Sequence, residues 1–211
     1  FDRELGAEVV AVQDRGDQVA VQTRSGQFVA RAAVVAVPVN VLGGISLEPT
    51  LDPVAAAAVA GGQASRGIKI FIHARGKPVL ANAIRPAHPF GYLSTEELFD
   101  DGTQLLIGFG PDAERYDSGS LAVLQRSLDD ILPGYQALRA TNHDWLADEF
   151  SRGTWAIHRP GWYEHYHAAM RRPEGRILLA GSDLADGWAG FIDGAIESGL
   201  RAGRTAVTLG D

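Results

Sequence analysis

The sequence predicts an α+β fold, on three observations. Strand-like runs fill residues 8–37, helical segments are then interspersed with further strands, and the chain finishes on a strand, a glycine-rich loop and a helix. No strand–helix unit carries Gly-x-Gly-x-x-Gly. The nearest glycine cluster, Gly108-Phe109-Gly110, runs into Pro111-Asp112-Ala113, which cannot open that fingerprint.

Residues 8–12 and 18–23 are short β-rich runs around a polar turn at 13–17, and the second alternates apolar with polar residues as a half-buried strand does. Residues 28–37 end in a continuous apolar stretch that stops at Pro38, so a hairpin or meander feeding a buried strand is expected. Asp52-Pro53 opens an alanine-rich helix that Gly61-Gly62 closes, with proline inside the start and glycine past the end. Residues 67–73 form a strand with Ile68, Ile70 and Ile72 on one face and Lys69, Phe71 and His73 on the other. Residues 104–109 form another strand. Residues 120–132 fit an amphipathic helix with Leu121, Leu124, Leu128 and Ile131 on its apolar side, ended by Pro133-Gly134. Residues 176–180 are a short buried strand, and 194–207 a helix of mostly small residues.

Composition narrows the function classes. The net charge of −7 argues against a nucleic-acid partner, which needs a concentrated basic surface. No apolar run approaches the roughly 20 residues of a membrane span, and no secretory leader is recognisable, so a cytoplasmic protein is expected. The absence of Cys removes disulfides, thiolate metal sites, a cysteine nucleophile and any cysteinyl-linked cofactor. His143, His158, His165 and His167 lack the spacing of a zinc site. No Gly-x-Ser-x-Gly elbow supports Ser/His/Asp catalysis. A chain that opens at Phe1-Asp2-Arg3 and enters strand pattern at once reads as part of something longer.

The most informative stretch is Leu178-Leu179-Ala180-Gly181-Ser182-Asp183, followed by Gly187-Trp188-Ala189-Gly190-Phe191-Ile192-Asp193-Gly194-Ala195-Ile196-Glu197-Ser198-Gly199. It is a strand, a glycine-rich loop with an acidic residue, and a helix whose small residues permit close backbone approach. The free N–H groups of that helix start favour a negative or electron-rich group. From physics alone it is equally a glycine-rich connection with tight helix packing.

The stretch is similar to the last flavin-contacting segment of the monoamine oxidase family, written loosely as Phe-Ala-Gly-Thr-Glu…Trp-x-Gly-Tyr-x-x-Gly-Ala, and the spacing agrees without a gap. The resemblance implies flavin contacts at Gly181, Ser182, Asp183, Trp188, Gly190, Phe191 and Ile192. Asp183 stands where glutamate is usual and Phe191 where tyrosine is frequent. Residues 8–23 with 32–38 look like the meander that returns to the flavin domain, where Val9 touches the adenosine end. Residues 150–161 look like the loop bearing the first wall of the aromatic cage, and Ser65-Arg66-Gly67-Ile68-Lys69 like the strand bearing the active-site lysine.

What the resemblance implies is the C-terminal part of a two-domain FAD-dependent amine oxidase fold. Residues 1–38 and 151–211 belong to the FAD-binding domain, 39–150 form a mixed-sheet substrate domain, and the N-terminal Rossmann βαβ is missing. The implied activity is hydride transfer from an amine to FAD, with O2 as acceptor and H2O2 as product. Trp155 and Phe191 flank the substrate nitrogen, and Lys69 holds a water. Thr154 stands where some members attach flavin through cysteine, so the FAD is noncovalent. The implied partners are a small-molecule amine and the missing N-terminal half, with a homodimer left open. A tryptophan wall suits a cyclic, aromatic or secondary amine, whereas an amino-acid substrate calls for an arginine against its carboxylate, with Arg85, Arg159 and Arg172 as the candidates. Two alternatives stand beside this reading: a desaturase or protoporphyrinogen-oxidase-like relative, and a non-catalytic remnant or complementing subunit.

Overall fold

The computed structural model describes residues 2–115 and 120–210. It divides into two compact units, Phe1–Ala64 with Glu149–Asp211, and Ser65–Asp148. The first unit begins with β1 (Val9–Asp14), β2 (Val19–Thr23), β3 (Gln27–Ala30), β4 (Ala33–Val35), α1 (Val39–Leu42), β5 (Ser46–Glu48) and α2 (Pro53–Gly61). The second contains β6 (Ile68–Arg75), β7 (Asn82–Ile84), β8 (Tyr92–Leu98), β9 (Thr103–Gly110), α3 (Leu121–Asp129) and β10 (Gln136–Asn142). The chain then returns to the first unit through a π-helical turn (Tyr163–His167), α4 (Ala168–Met170), β11 (Ile177–Leu179) and α5 (Ile192–Gly210).

In the first unit, β1 to β3 form an antiparallel meander and β5 joins β1 in parallel, giving the order β3-β2-β1-β5. Residues 28–37, expected as a meander feeding a buried strand, divide between β3 and β4. The chain breaks after Ala30: β3 stays on the outer, fully exposed edge, while β4 pairs in parallel with β11. Ala33 donates to the Arg176 carbonyl and Ala180 to the Val35 carbonyl, each at 3.0 Å, which fixes the switch. Residues 39–64, assigned from the sequence to the substrate domain, pack with this unit. The reason is burial: Val39, Leu42, Ala55 and Ala58 share one core with Val12, Val19, Trp162, Met170, Ile177 and Leu179.

α2 follows its capping signals. Asp52 accepts from the Val54 and Ala55 amides at 2.8 and 3.4 Å, satisfying two of the free N–H groups of the first turn. Its own amide donates to Glu174 Oε1 at 3.0 Å. Asp52→Ala is expected to lower stability by about 1 kcal/mol, read from urea denaturation. An unchanged midpoint would show the cap to be idle.

The second unit holds a five-stranded sheet ordered β10-β6-β9-β8-β7. The expected mixed sheet is corrected here, since every ladder among these strands is antiparallel. β7, β8 and β9 turn straight back on one another, whereas β6 lies between β9 and β10, so the connections from β6 to β7 and from β9 through α3 to β10 pass over intervening strands. β6 alternates as its sequence predicts: Ile68, Ile70, Ile72 and Ala74 are buried with Leu93, Leu106, Leu124 and Leu128. α3 presents Leu124, Ser127 and Leu128 to that core, whereas Leu121, expected on the apolar side, is 39% exposed. No helix among the described residues is long and apolar enough to cross a membrane.

Candidate functional site

The loop from β11 to α5 is built from backbone that few residues tolerate. The chain leaves the buried strand through Gly181, whose φ of +135° suits glycine, and its amide donates to Ser198 Oγ at 3.2 Å. Ser182–Leu184 makes one 3-10 turn. Trp188 (φ +54°) and Gly190 (φ +82°) then reverse the chain, and the Gly190 amide donates to the Ser182 carbonyl at 3.2 Å. The loop thus closes on itself before α5 begins. A tryptophan in left-handed backbone costs roughly 1–2 kcal/mol, so the surrounding bonds must hold it there.

The large side chains of this loop face outward. Trp188 is 72% exposed, Phe191 62% and Ile192 80%, and the Trp188 and Phe191 rings meet edge to face with centroids 6.0 Å apart. Ile196 and Leu200 continue the exposed apolar line along α5. Contiguous exposed apolar patches of this kind are uncommon on soluble proteins. Trp155 lies on the neighbouring segment. A Cβ added at Gly190 would stand 3.1 Å from the Ala156 Cβ, so the backbones bearing Trp155 and Phe191 adjoin.

Polar groups brought in from distant segments hold this loop. Asp183 directs its carboxylate at the protein: Oδ2 accepts from the Gln63 side chain at 2.6 Å and from the Val39 amide at 3.2 Å, and Oδ1 from the Ser182 hydroxyl at 3.4 Å. Asn40 joins two further strings, accepting from the Gln63 amide at 2.8 Å and donating to the Arg152 carbonyl at 2.7 Å. His158 Nε2 donates to the Asp183 carbonyl at 2.9 Å, and His167 Nε2 to the Ala185 carbonyl at 3.2 Å. The His158 ring stacks on Trp162 at 3.8 Å and 10°. Burial holds the His158 pKa below its ordinary value and His167 adds to that, against the Asp183 carbonyl bond and charge.

Sequence reasoning missed Asn40, Gln63, His158 and His167 as supports of the loop. Their partners are main-chain groups or side chains far along the chain, and no spacing reports such a bond. The π-helical turn carrying His167 is the kind of feature that collects at functional sites, yet its sequence bears no breaker. Among the described residues, no group of three or more His, Cys, Asp or Glu is placed to hold a metal.

Lys69 lies in the second unit, on the β6 face opposite the isoleucines, with Nζ 4.7 Å from the Phe71 ring centroid and 5.8 Å from that of Phe109. Val9 starts β1, half-buried against the first unit's core. Gly181, Ser182, Asp183, Trp188, Gly190, Phe191 and Ile192 all fall in the β11–α5 loop or at its helical end. These residues suit the apolar ring system of a flavin, because the loop offers exposed aromatic surface beside free helix N–H groups. They include no Gly-x-Gly-x-x-Gly turn for a pyrophosphate.

Residues 2–206 match the family model described as flavin containing amine oxidoreductase. Pseudooxynicotine dehydrogenase of a Pseudomonas species is 35% identical over 204 residues, covering 95% of this chain and 41% of that protein. Nicotine dehydrogenase of Pseudomonas putida is 32% identical over 208 residues, covering 97% and 43%. A redesigned triple variant of putrescine oxidase matches in fold with a TM-score of 0.81 at 21% identity, covering 96% of this chain and 48% of the other. The chain spans less than half the length of the curated relatives it matches.

Proposed function

We propose, from the premise that this chain belongs to the flavin-containing amine oxidoreductase family, that it forms the substrate-side and C-terminal cofactor-side part of an enzyme that oxidises an amine to an imine, with noncovalent FAD as cofactor and O2 as acceptor. The observation that carries the reading is the outward-facing Trp188–Phe191 loop, held rigid from beneath yet bare on its apolar side. Bound FAD supplies the acceptor for the hydride leaving the carbon beside the amine nitrogen, and O2 is then reduced to H2O2.

The chain's own residues bind, orient and exclude water. Trp155 and Phe191, on adjoining backbones, flank the amine nitrogen, and their low polarity favours the neutral amine that can release hydride. Lys69 holds a water for the reaction through its ammonium donors. Asp183, His158 and Asn40 position the loop without reaching the substrate. The names of two relatives, nicotine dehydrogenase and pseudooxynicotine dehydrogenase, make an amine bearing a nitrogen heteroaromatic ring the first substrate class to try. The apolar line Ile192, Ile196 and Leu200 is the surface we assign to the part of the family fold that carries the pyrophosphate-binding turn.

The test is the visible absorption of the purified chain, alone, with added FAD, and co-produced with an N-terminal half taken from a relative. Flavin colour and amine-dependent H2O2 are expected only in the last case. Tight flavin binding by this chain alone overturns the two-part reading. Amine-dependent dye reduction without H2O2 leaves the amine chemistry and removes O2 as acceptor. A complex that binds flavin and oxidises no amine favours the desaturase-like or non-catalytic alternatives.

A further inference from the structure

The second unit contains a cavity of about 620 Å³, of the size that small organic ligands occupy, and the amine chemistry above makes no use of it. It opens on the face of the sheet opposite α3. Phe71 and His73 of β6, Leu105 of β9 and Phe99 before the β8–β9 turn line it, and Arg139 of β10 stands directly across from His73 in register. The wall is mainly apolar, and His73, Asp101, Thr103 and Arg139 are among its polar groups.

His73, Thr103 and Asp101 form a hydrogen-bonded chain with one allowed direction. Asp101 Oδ1 accepts from the Thr103 hydroxyl at 2.6 Å and from the Thr103 amide at 3.0 Å. These two bonds hold the Asp101 carboxyl below its ordinary pKa, so it is an ionised acceptor. The Thr103 proton is therefore committed to Asp101, and its oxygen must accept from His73 Nε2, 2.8 Å away. Neutral His73 is thereby fixed as the Nε2–H tautomer, which leaves Nδ1 a bare lone pair on a ring that lines the cavity. Phe99 meets the imidazole edge to face at 5.7 Å and limits its rotation. The Arg139 side chain has no ion pair or hydrogen bond among the described residues. Asp101 lines the same cavity with its Oδ1 engaged by Thr103, and the Arg139 guanidinium is the positive group placed across from His73 to meet an electron-rich ligand atom.

We propose that this cavity binds a small hydroxyarene. The ring lies among Phe71, Phe99 and Leu105, the hydroxyl donates to Nδ1 of His73, and Arg139 favours the negative charge that this donation builds on oxygen. The site stands on the second unit alone and holds whether or not the chain binds flavin or turns over an amine.

Fluorine NMR titration of the whole chain tests it with 4-fluorophenol, 4-fluoroanisole and 4-fluorobenzylamine. 4-Fluorophenol is expected to bind, and 4-fluoroanisole, which keeps the ring and loses the donor, to bind about tenfold more weakly, the worth of one hydrogen bond. His73→Phe, which preserves ring volume, should weaken 4-fluorophenol by a similar factor and leave 4-fluoroanisole unchanged. Arg139→Met, at an exposed position where substitutions usually change stability little, should weaken 4-fluorophenol by roughly threefold. Equal binding of phenol and anisole, stronger binding of the benzylamine, wild-type affinity in both variants, or no binding of 4-fluorophenol would each overturn the proposal.

Discussion

Gly194→Ala destabilises this protein by about 2–4 kcal/mol, the range for forcing extra atoms into a filled site. The sign is the opposite of what helix propensity gives, since Gly to Ala inside a helix ordinarily stabilises by roughly 1 kcal/mol. A Cβ at position 194 would stand 2.3 Å from the Trp188 carbonyl oxygen and 2.9 Å from the Ala185 Cβ. The obstacle is backbone, so no rotamer change relieves it. Trp188 itself cannot retreat freely, because it sits in left-handed backbone and its carbonyl accepts from the Phe191 amide at 3.0 Å. The substitution therefore disturbs the loop that displays Trp188 and Phe191. Gly199→Ala is the control, on the same helix with nothing within 4 Å of the added atom, and should be neutral or stabilising. Urea denaturation of both variants, with tryptophan emission as a reporter of the loop, decides the matter. If Gly194→Ala is as stable as the Gly199 variant, the close approach is not real.

That glycine belongs to the part of the site legible in the sequence. Gly181, Gly190 and Gly194 announce tight backbone because only glycine serves there, and the spacing to Trp188 and Phe191 carried the family resemblance. β6 was legible for a similar reason: a strand buried on one face must alternate, and Ile68, Ile70 and Ile72 do. Legibility ends where a residue's partner lies far along the chain. Residues 28–37 read as a meander feeding a buried strand, but nothing local says that this strand, β4, pairs with β11, well over a hundred residues later. Leu121 reads as core because heptad-like spacing ignores where a helix starts, and it sits at the solvent end of α3. Asn40 and Gln63 carry no local sequence signal, yet they tie Asp183 to the segment before Trp155.

His158 is the remaining case of that kind, and its replacement by phenylalanine carries a signed prediction. The variant keeps an aromatic ring to stack on Trp162 and loses the N–H that satisfies the Asp183 carbonyl, a loss worth about 1–3 kcal/mol in a half-buried place. The pH dependence follows from the same burial. The folded pKa of His158 lies below its ordinary 6.5, so between those two values the unfolded chain binds more protons than the native one. Stability from this group is complete above 6.5 and declines as pH falls toward the depressed folded value. The groups facing the ring set the extent: Asp183 favours the imidazolium, His167 opposes it, and Tyr163 meets the ring edge-on at 5.1 Å. Denaturation midpoints at pH 8, 7, 6 and 5.5 should show the wild type losing stability more steeply with acid than His158→Phe, although the variant is the weaker of the two at pH 8. Parallel pH profiles would mean that His158 titrates alike in both states, and that the loop is held by the stack and the Asp183 carboxylate instead.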